Sequence, residues 1–311
     1  MTPMKTILIT GAAGFLGSNL ADQLCKDNNN TVIGLDNFIT GTNSNINQLQ
    51  QYSNFKFIEH DIINPIYIPV DQIYNLACPA SPPQYQKYPV FTINSCVVGM
   101  KNMLDLAQKT NATILQASTS EVYGDPKIHP QQENYWGNVN SYGPRSCYDE
   151  GKRCAESLCW SYSKELDVDV RIARIFNTYG PNMDKDDGRV VSNFIMAALH
   201  NKPLQIYGDP GITRSFCYVT DNINGLELLM NSGTVDPVNI GNPTEITLEQ
   251  LAHTVLELTN SGSSIEITDR DIDTPIKRKP NIDRARQQLG WHPAIDLHTG
   301  LGYTIEYFRN I

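Results

Sequence analysis

The stretch ILITGAAGFLGSNLADQL, residues 7–24, decides the fold. Four apolar or β-branched residues lead into Gly11, Gly14 and Gly17, and an amphipathic pattern begins at Phe15. A strand that breaks into glycines and resumes as a helix has the form of a phosphate-binding turn. The first glycine permits the tight turn, the second lets the backbone approach a pyrophosphate, and the third lets helix and strand pack closely, with the helix N-terminus facing the anion. A glycine cluster can also be a plain turn, so the next strand matters. TVIGLD ends in Asp36 about 20 residues on, where a carboxylate accepts both hydroxyls of an adenosine ribose. NFITG follows without an arginine, which favours NAD over NADP.

Working outward, KTILIT, TVIGLD, FKFIEHD, QIYNLA, TILQAS and DVRIARI are short and rich in β-branched residues, so they read as buried strands. Helical patterns lie between them, at residues 15–25, 90–109 and 148–165. The alternation predicts an α/β fold: a doubly wound parallel sheet of Rossmann type, with a smaller C-terminal α/β substrate-binding lobe. The expected division is a dinucleotide domain over residues 1–176 and a second lobe over 177–311, the chain returning to the first around 214–235.

Composition limits the function classes. The chain has 311 residues, 40% apolar and 18% charged, with a net charge of −9. That charge argues against non-specific nucleic-acid binding, so an anionic ligand needs locally concentrated cations. No run approaches the ~18 apolar residues of a membrane span, and no signal-peptide pattern opens the chain. Seven scattered cysteines without C-x-x-C predict reduced thiols and a cytoplasmic protein. The six histidines have no metal-ligand spacing, and Asp184, Asp186 and Asp187 read as a solvated loop, so no metal is expected.

The chemistry is carried by two segments. TILQASTSE ends an apolar strand in Ser118, Thr119, Ser120 and Glu121, where ligands bind in a doubly wound sheet. GPRSCYDEGKRCAE places Tyr148 and Lys152 at i and i+4, on one helix face. Each segment alone has an ordinary reading, a cap or a charged helix. Together with the glycine loop they form an acid–base set for hydride transfer, in which the lysine ammonium and a positive nicotinamide ring favour the Tyr148 phenolate.

TGAAGFLGSNL, HDI, YNLACPASPPQY, STSEVYGDPKIHPQ, GPRSCYDEGKRCAE, ARIFNTYGP, DDGRVVSNF, TRSFCYVTD, NIGNP and KRKPNI make the chain similar to the extended short-chain dehydrogenases/reductases, and within them to the UDP-glucuronate decarboxylases. The resemblance runs from about residue 6 to residue 295. It implies Tyr148 as base, with Lys152 supporting it and holding the nicotinamide ribose. It places Thr119 and Ser120 at the reacting hydroxyl, Glu121 near C5 of the sugar and Arg278 reaching it from the second lobe. For NAD it implies Gly11, Gly14, Phe15, Leu16, Gly17, Asp36, Asn37, Gly41, Asp61, Ile62, Leu76, Tyr148, Lys152 and Thr178. For the UDP-sugar it implies Tyr67, Asn94, Asn177, Arg189, Val190, Ser192, Tyr207, Arg214 and Arg278. Arg189, Arg214 and Arg278 then supply the local positive charge.

The implied reaction turns UDP-glucuronate into UDP-xylose through oxidation at C4, loss of carbon dioxide and re-reduction. One position departs from the family. Asn94 and Ser95 stand where these decarboxylases carry Lys and Thr, and a lysine there would face the sugar. Two readings therefore stay open beside decarboxylation: a UDP-sugar 4-epimerase or 4-ketosugar-forming enzyme, and a non-catalytic nucleotide sensor, against which the intact Thr119, Tyr148 and Lys152 argue. The helices at 90–109 and 148–165 are those that extended short-chain enzymes use to dimerise, so a homodimer is expected.

Overall fold

The computed structural model describes residues 4–269 and 277–311. Six strands, with helices between all successive pairs except β3 and β4, run through residues 5–175: β1 (Lys5–Thr10), β2 (Asn30–Asp36), β3 (Phe55–Glu59), β4 (Gln72–Asn75), β5 (Thr113–Thr119) and β6 (Val170–Ile175). With a seventh strand, Val238–Ile240, they form one sheet in the order Val238–Ile240, β6, β5, β4, β1, β2, β3. Every pairing in it is parallel. Sequence order reverses between β1 and β4, and such a switch point opens a crevice beyond the carboxyl ends of the strands.

Both faces are covered, so the strands are apolar on both sides. Ile7 and Ile9 join one buried cluster and Leu8 the other, as the two-residue period of a strand requires. The first cluster also takes Leu20 and Ala21 of the Phe15–Cys25 helix. The second takes Met100, Met103 and Leu104, and Ala155 and Cys159 from the long Ser146–Leu166 helix.

The helical pattern at 90–109 becomes Pro89–Asn94, a π-helical turn at Ser95–Gly99, and Met100–Thr110. Thr92, Ser95, Cys96, Gly99, Met100, Met103 and Leu104 are buried, which is the inward stripe of a helix. Val90, Ile93, Asn94, Val98 and Lys101 are exposed on the opposite side. Gly99 meets the side chain of Ile62, where a Cβ would lie 2.5 Å from Ile62 Cδ1. A π turn at such a contact is a common adjustment near functional sites.

The second lobe is built from short pairs: Leu204–Tyr207 with Ile265–Thr268, Thr213–Ser215 with Glu245–Thr247, and Thr178–Tyr179 with Cys217–Tyr218. Helices Val190–Leu199, Leu248–Thr259 and Leu297–Arg309 cover it, and Thr247 and Gln250 form a capping box. The Val219–Met230 helix packs on β5 and β6 and is followed by the Val238–Ile240 strand at the edge of the sheet.

Candidate active site

A cleft of about 310 Å³ opens at the switch point. Its first wall is the glycine loop. Gly11 has φ +73° and approaches the end of β4, where a Cβ would lie 2.9 Å from the Leu76 carbonyl carbon. A Cβ on Gly17 would fall 2.1 Å from Gly11 O, so only glycine lets the helix start here. Gly11, Gly14, Phe15, Leu16, Gly17 and Leu76 all line the cleft, as does Thr178 further along.

Asp36 stands behind this wall, accepting hydrogen bonds from the N–H groups of Ala13 at 2.9 Å and Phe38 at 2.8 Å. Burial pushes its carboxyl up, and those backbone N–H groups pull it only part of the way back. Gly41 packs beside it, since a Cβ would lie 3.0 Å from Asp36 Oδ1. A buried carboxylate at a strand end, with a glycine keeping its flank open, suits ribose hydroxyls, and the residues fit a dinucleotide. Asn37 caps its own turn by accepting from Ile39 N–H. Asp61 and Ile62 do not line the cleft: Asp61 accepts from Ile63 N–H, and the Ile62 carbonyl is held by Asn102 Nδ2.

The second wall is chemical. Tyr148 and Lys152 are both buried on the Ser146–Leu166 helix, and Lys152 Nζ lies 5.8 Å from the Tyr148 ring centre. Lys152 Nζ donates to the Ala117 carbonyl at 2.8 Å, fixing the ammonium at the carboxyl end of β5. Thr119 takes both of the roles that the sequence offers it. Its hydroxyl accepts from Glu121 N–H as a cap of the short Ser120–Tyr123 turn, and it also hydrogen-bonds Tyr148. The expected lowering of Tyr148 is not what the chain itself produces. Burial pushes the phenol well above its usual value, with Cys78 adding to this, and the Thr119 hydrogen bond opposes them only in part.

Glu121 is the electrostatic centre of the part of the cleft nearest the second lobe. Arg278 Nε donates to Glu121 Oε1 at 3.1 Å, and the Arg278 and Arg145 Nη2 atoms both reach Oε2. Burial pushes the Glu121 carboxyl up, but the attraction of Arg278 and then Arg145 outweighs it and lowers the pKa to about 2. Arg278 also donates to the Gly124 carbonyl at 2.7 Å and is 4% exposed, so the second lobe is locked to the turn after β5.

Sequence reading assigned no role to Arg145 or Tyr85. The Tyr85 ring stacks on Tyr148, centres 5.0 Å apart and planes within 4°, and the Arg145 guanidinium lies 5.8 Å from the other ring, that of Tyr85. Both lie in quoted motifs, SPPQY and GPRSC, but nothing in their spacing announces the stack. The Tyr85 hydroxyl is buried in the cleft wall without a hydrogen-bond partner among the described residues.

Of the remaining UDP-sugar residues, Asn177, Arg189 and Arg214 line the cleft. Arg189 is oriented by Asp187, so the acidic loop serves an arginine, and the described residues contain no group able to hold a metal. Val190 begins the Val190–Leu199 helix and Ser192 donates to the Arg189 carbonyl at 2.9 Å, which turns both into helix-start residues. Tyr67 and Tyr207 are 65% and 58% exposed and lie outside the cleft lining. The resemblance places Asn94 at the sugar. Asn94 is exposed on the outward stripe of its helix, because the inward positions are 92, 95, 96 and 99, and it does not line the cleft.

Known proteins agree with this geometry. The pattern of the GDP-mannose 4,6 dehydratase family matches residues 8–304. UDP-glucuronic acid decarboxylase 1 of Xenopus tropicalis is 52% identical over 305 residues, 98% of this chain and 72% of that protein. UDP-glucuronic acid decarboxylase 5 of Arabidopsis thaliana is 52% identical over 97% of this chain and 89% of its own. Among solved structures, UDP-glucuronic acid 4-epimerase of Bacillus cereus with UDP-glucuronic acid and NAD superimposes with a TM-score of 0.90 at 27% identity, covering 98% of this chain and 99% of that one. With its glycine loop, its buried Tyr148 and Lys152, and full-length identity above half to several decarboxylases, the chain belongs to the GDP-mannose 4,6 dehydratase family of extended short-chain enzymes, on the branch of the UDP-glucuronic acid decarboxylases.

Proposed function

We propose that this chain converts UDP-glucuronate to UDP-xylose, oxidising C4, releasing carbon dioxide and reducing the ketone again with retention of NAD. One observation carries the reading: Tyr148, Lys152 and Thr119 share a cleft with Glu121, which the buried Arg278 and the half-buried Arg145 hold as a carboxylate. The decarboxylases that match 97–99% of the chain at 51–52% identity support this reaction over epimerisation.

The glycine loop and the start of the Phe15–Cys25 helix would hold the cofactor pyrophosphate, Asp36 the adenosine ribose and Lys152 the nicotinamide ribose. Bound there, NAD supplies a hydride acceptor that later returns the hydride. Tyr148 takes the proton of the C4 hydroxyl, and its phenolate requires the positive charges brought near it, since burial alone keeps it protonated. The 4-keto acid loses carbon dioxide as its electrons flow into the ketone, and the Thr119 and Ser120 hydroxyls stabilise the oxyanion. Glu121, with a pKa of about 2, is ionised at neutral pH. It therefore orders the water or group that protonates C5 and is not itself the acid. Arg189 and Arg214 face the diphosphate.

A cytoplasmic homodimer belongs to the same proposal. Seven free cysteines support a reducing compartment. Val90, Ile93 and Val98 on one helix and Trp160 on the next, between 40% and 71% exposed, form an apolar face suited to a second copy.

The second reading, a 4-epimerase, has the close superposition on the Bacillus cereus enzyme in its favour. Incubation with UDP-glucuronate and NAD separates the two. Carbon dioxide release and a product lighter by that mass are expected; inversion at C4 without loss of mass would overturn the decarboxylase.

A further inference from the structure

We propose that Cys78 and Cys96 are a modification site, a thiol pair that a hydroperoxide oxidises to a disulfide inside the cleft. Their sulfurs lie 3.3 Å apart. A disulfide is about 2.05 Å long, so an approach of roughly 1.2 Å closes the bond. Cys78 follows β4 and lines the cleft, half-buried, so a small solute reaches it by the ligand's own route. Cys96 is 2% exposed on the inward helix stripe and wedged against the Tyr148 helix, where a Cβ on Gly151 would lie 2.9 Å from Cys96 Cβ. Only Cys78 can therefore meet the oxidant first, and Cys96 is placed to resolve it.

The two thiols also differ in acidity. Burial pushes the Cys25, Cys147, Cys159 and Cys217 thiols up. At Cys78 burial acts in the same direction, but the hydrogen bond with Cys96 and the Lys152 ammonium outweigh it and lower the thiol. The hydrogen bond to Cys78 and then burial keep the proton on Cys96. The thiolate is the nucleophile, so this asymmetry sets the order of events.

The steps balance with hydrogen peroxide as oxidant. The Cys78 thiolate attacks one peroxide oxygen, the O–O bond breaks, a sulfenic acid forms, and hydroxide leaves and is protonated to water. The Cys96 sulfur then attacks the sulfenyl sulfur, the S–S bond forms, and a second water leaves with the Cys96 proton. Two thiols lose two electrons and the peroxide becomes two waters. The bond drags the segment after β4, which carries Leu76 of the cleft wall, toward the helix packed on Tyr148. A displacement of about 1 Å at reacting groups costs on the order of a hundredfold in rate. The loss of activity rests on the proposed function; the bond itself does not.

The test treats the purified full chain with graded hydrogen peroxide, blocks free thiols with iodoacetamide and maps the peptides by mass. A peptide pair joining Cys78 to Cys96, about 2 Da below the sum of the reduced peptides, is expected, with activity reduced at least tenfold and restored by dithiothreitol. In Cys96→Ser, Cys78 should advance to the sulfinic acid, and dithiothreitol should no longer restore activity. Sulfinic acid on Cys78 of the unaltered chain without the linked peptide, a link through Cys147, or no reaction at Cys78 would each overturn the proposal. Because mass is read without reference to any sugar, failure of the decarboxylase assignment and failure of the thiol pair give different results.

Discussion

The two ends of the cleft are built by different means. At the glycine-loop end, proposed to take the phosphates, the working parts are backbone: Gly11 at positive φ, Gly17 under Gly11 O, and the start of the Phe15–Cys25 helix. At the Tyr148 end, proposed to take the sugar, they are side chains brought from far apart, Glu121 after β5, Arg145 before the Tyr148 helix, Tyr85 after β4 and Arg278 from the second lobe. Backbone sites need consecutive residues of special conformation, which a sequence displays directly. A converging cluster of side chains has no fixed spacing, and it tolerates change in any member that the others can hold in place.

The sharpest separation of the two ends is Tyr148→Phe. Loss of an acid–base group lowers turnover about a hundredfold to ten-thousandfold. Affinity for NAD, read by quenching of protein fluorescence, is expected to stay within severalfold. If NAD binding fell with turnover, the two ends would be one unit and the contrast would fail.

Arg278 comes next. Breaking a buried ion pair from one side costs about 3–5 kcal/mol, and Arg145, still on Glu121, reduces this for Arg278→Met. A double-mutant cycle with Glu121→Gln, followed by denaturant unfolding, isolates the coupling. Glu121 also sets a pH dependence. Its folded pKa of about 2 lies below the ordinary 4.5, so its stabilisation is full above pH 4.5 and is lost as pH falls toward 2. The wild type should therefore lose more thermal stability than Glu121→Gln over that window; parallel curves would remove Glu121 from the account.

Gly17→Ala probes the other end. Its Cβ would lie 2.1 Å from Gly11 O, and overpacking of this kind costs typically about 1–3 kcal/mol. A lowered melting temperature and weakened NAD binding are expected, with turnover at saturating NAD nearly kept. Unchanged NAD affinity would mean that the loop does not cradle the pyrophosphate.

This contrast also marks what was legible. The six strands that carry the sheet, the Phe15–Cys25 helix and the base set were readable because each is contiguous or has helical spacing. The Val238–Ile240 strand was not, since three residues carry no period. Arg145 and Tyr85 escaped because their roles lie in a stack that closes only when β4 and the Tyr148 helix meet. Val190 and Ser192 sit in a recognisable motif, and that motif starts a helix directly after Arg189 of the cleft.

Asn94→Lys has the smallest expected effect on chemistry and decides a question of placement. The resemblance implies a lysine at this position, and in this chain residue 94 shares its helix face with Val90, Ile93 and Val98, outside the cleft lining. A lysine there cannot meet the glucuronate carboxylate without rotating the helix by roughly half a turn, which would expose Cys96 and Met100. KM for UDP-glucuronate should therefore be unchanged, while a charge placed in the apolar face should weaken self-association measured by light scattering across a dilution series. A lower KM with association unaltered would reverse both statements, moving residue 94 to the sugar and the interface elsewhere.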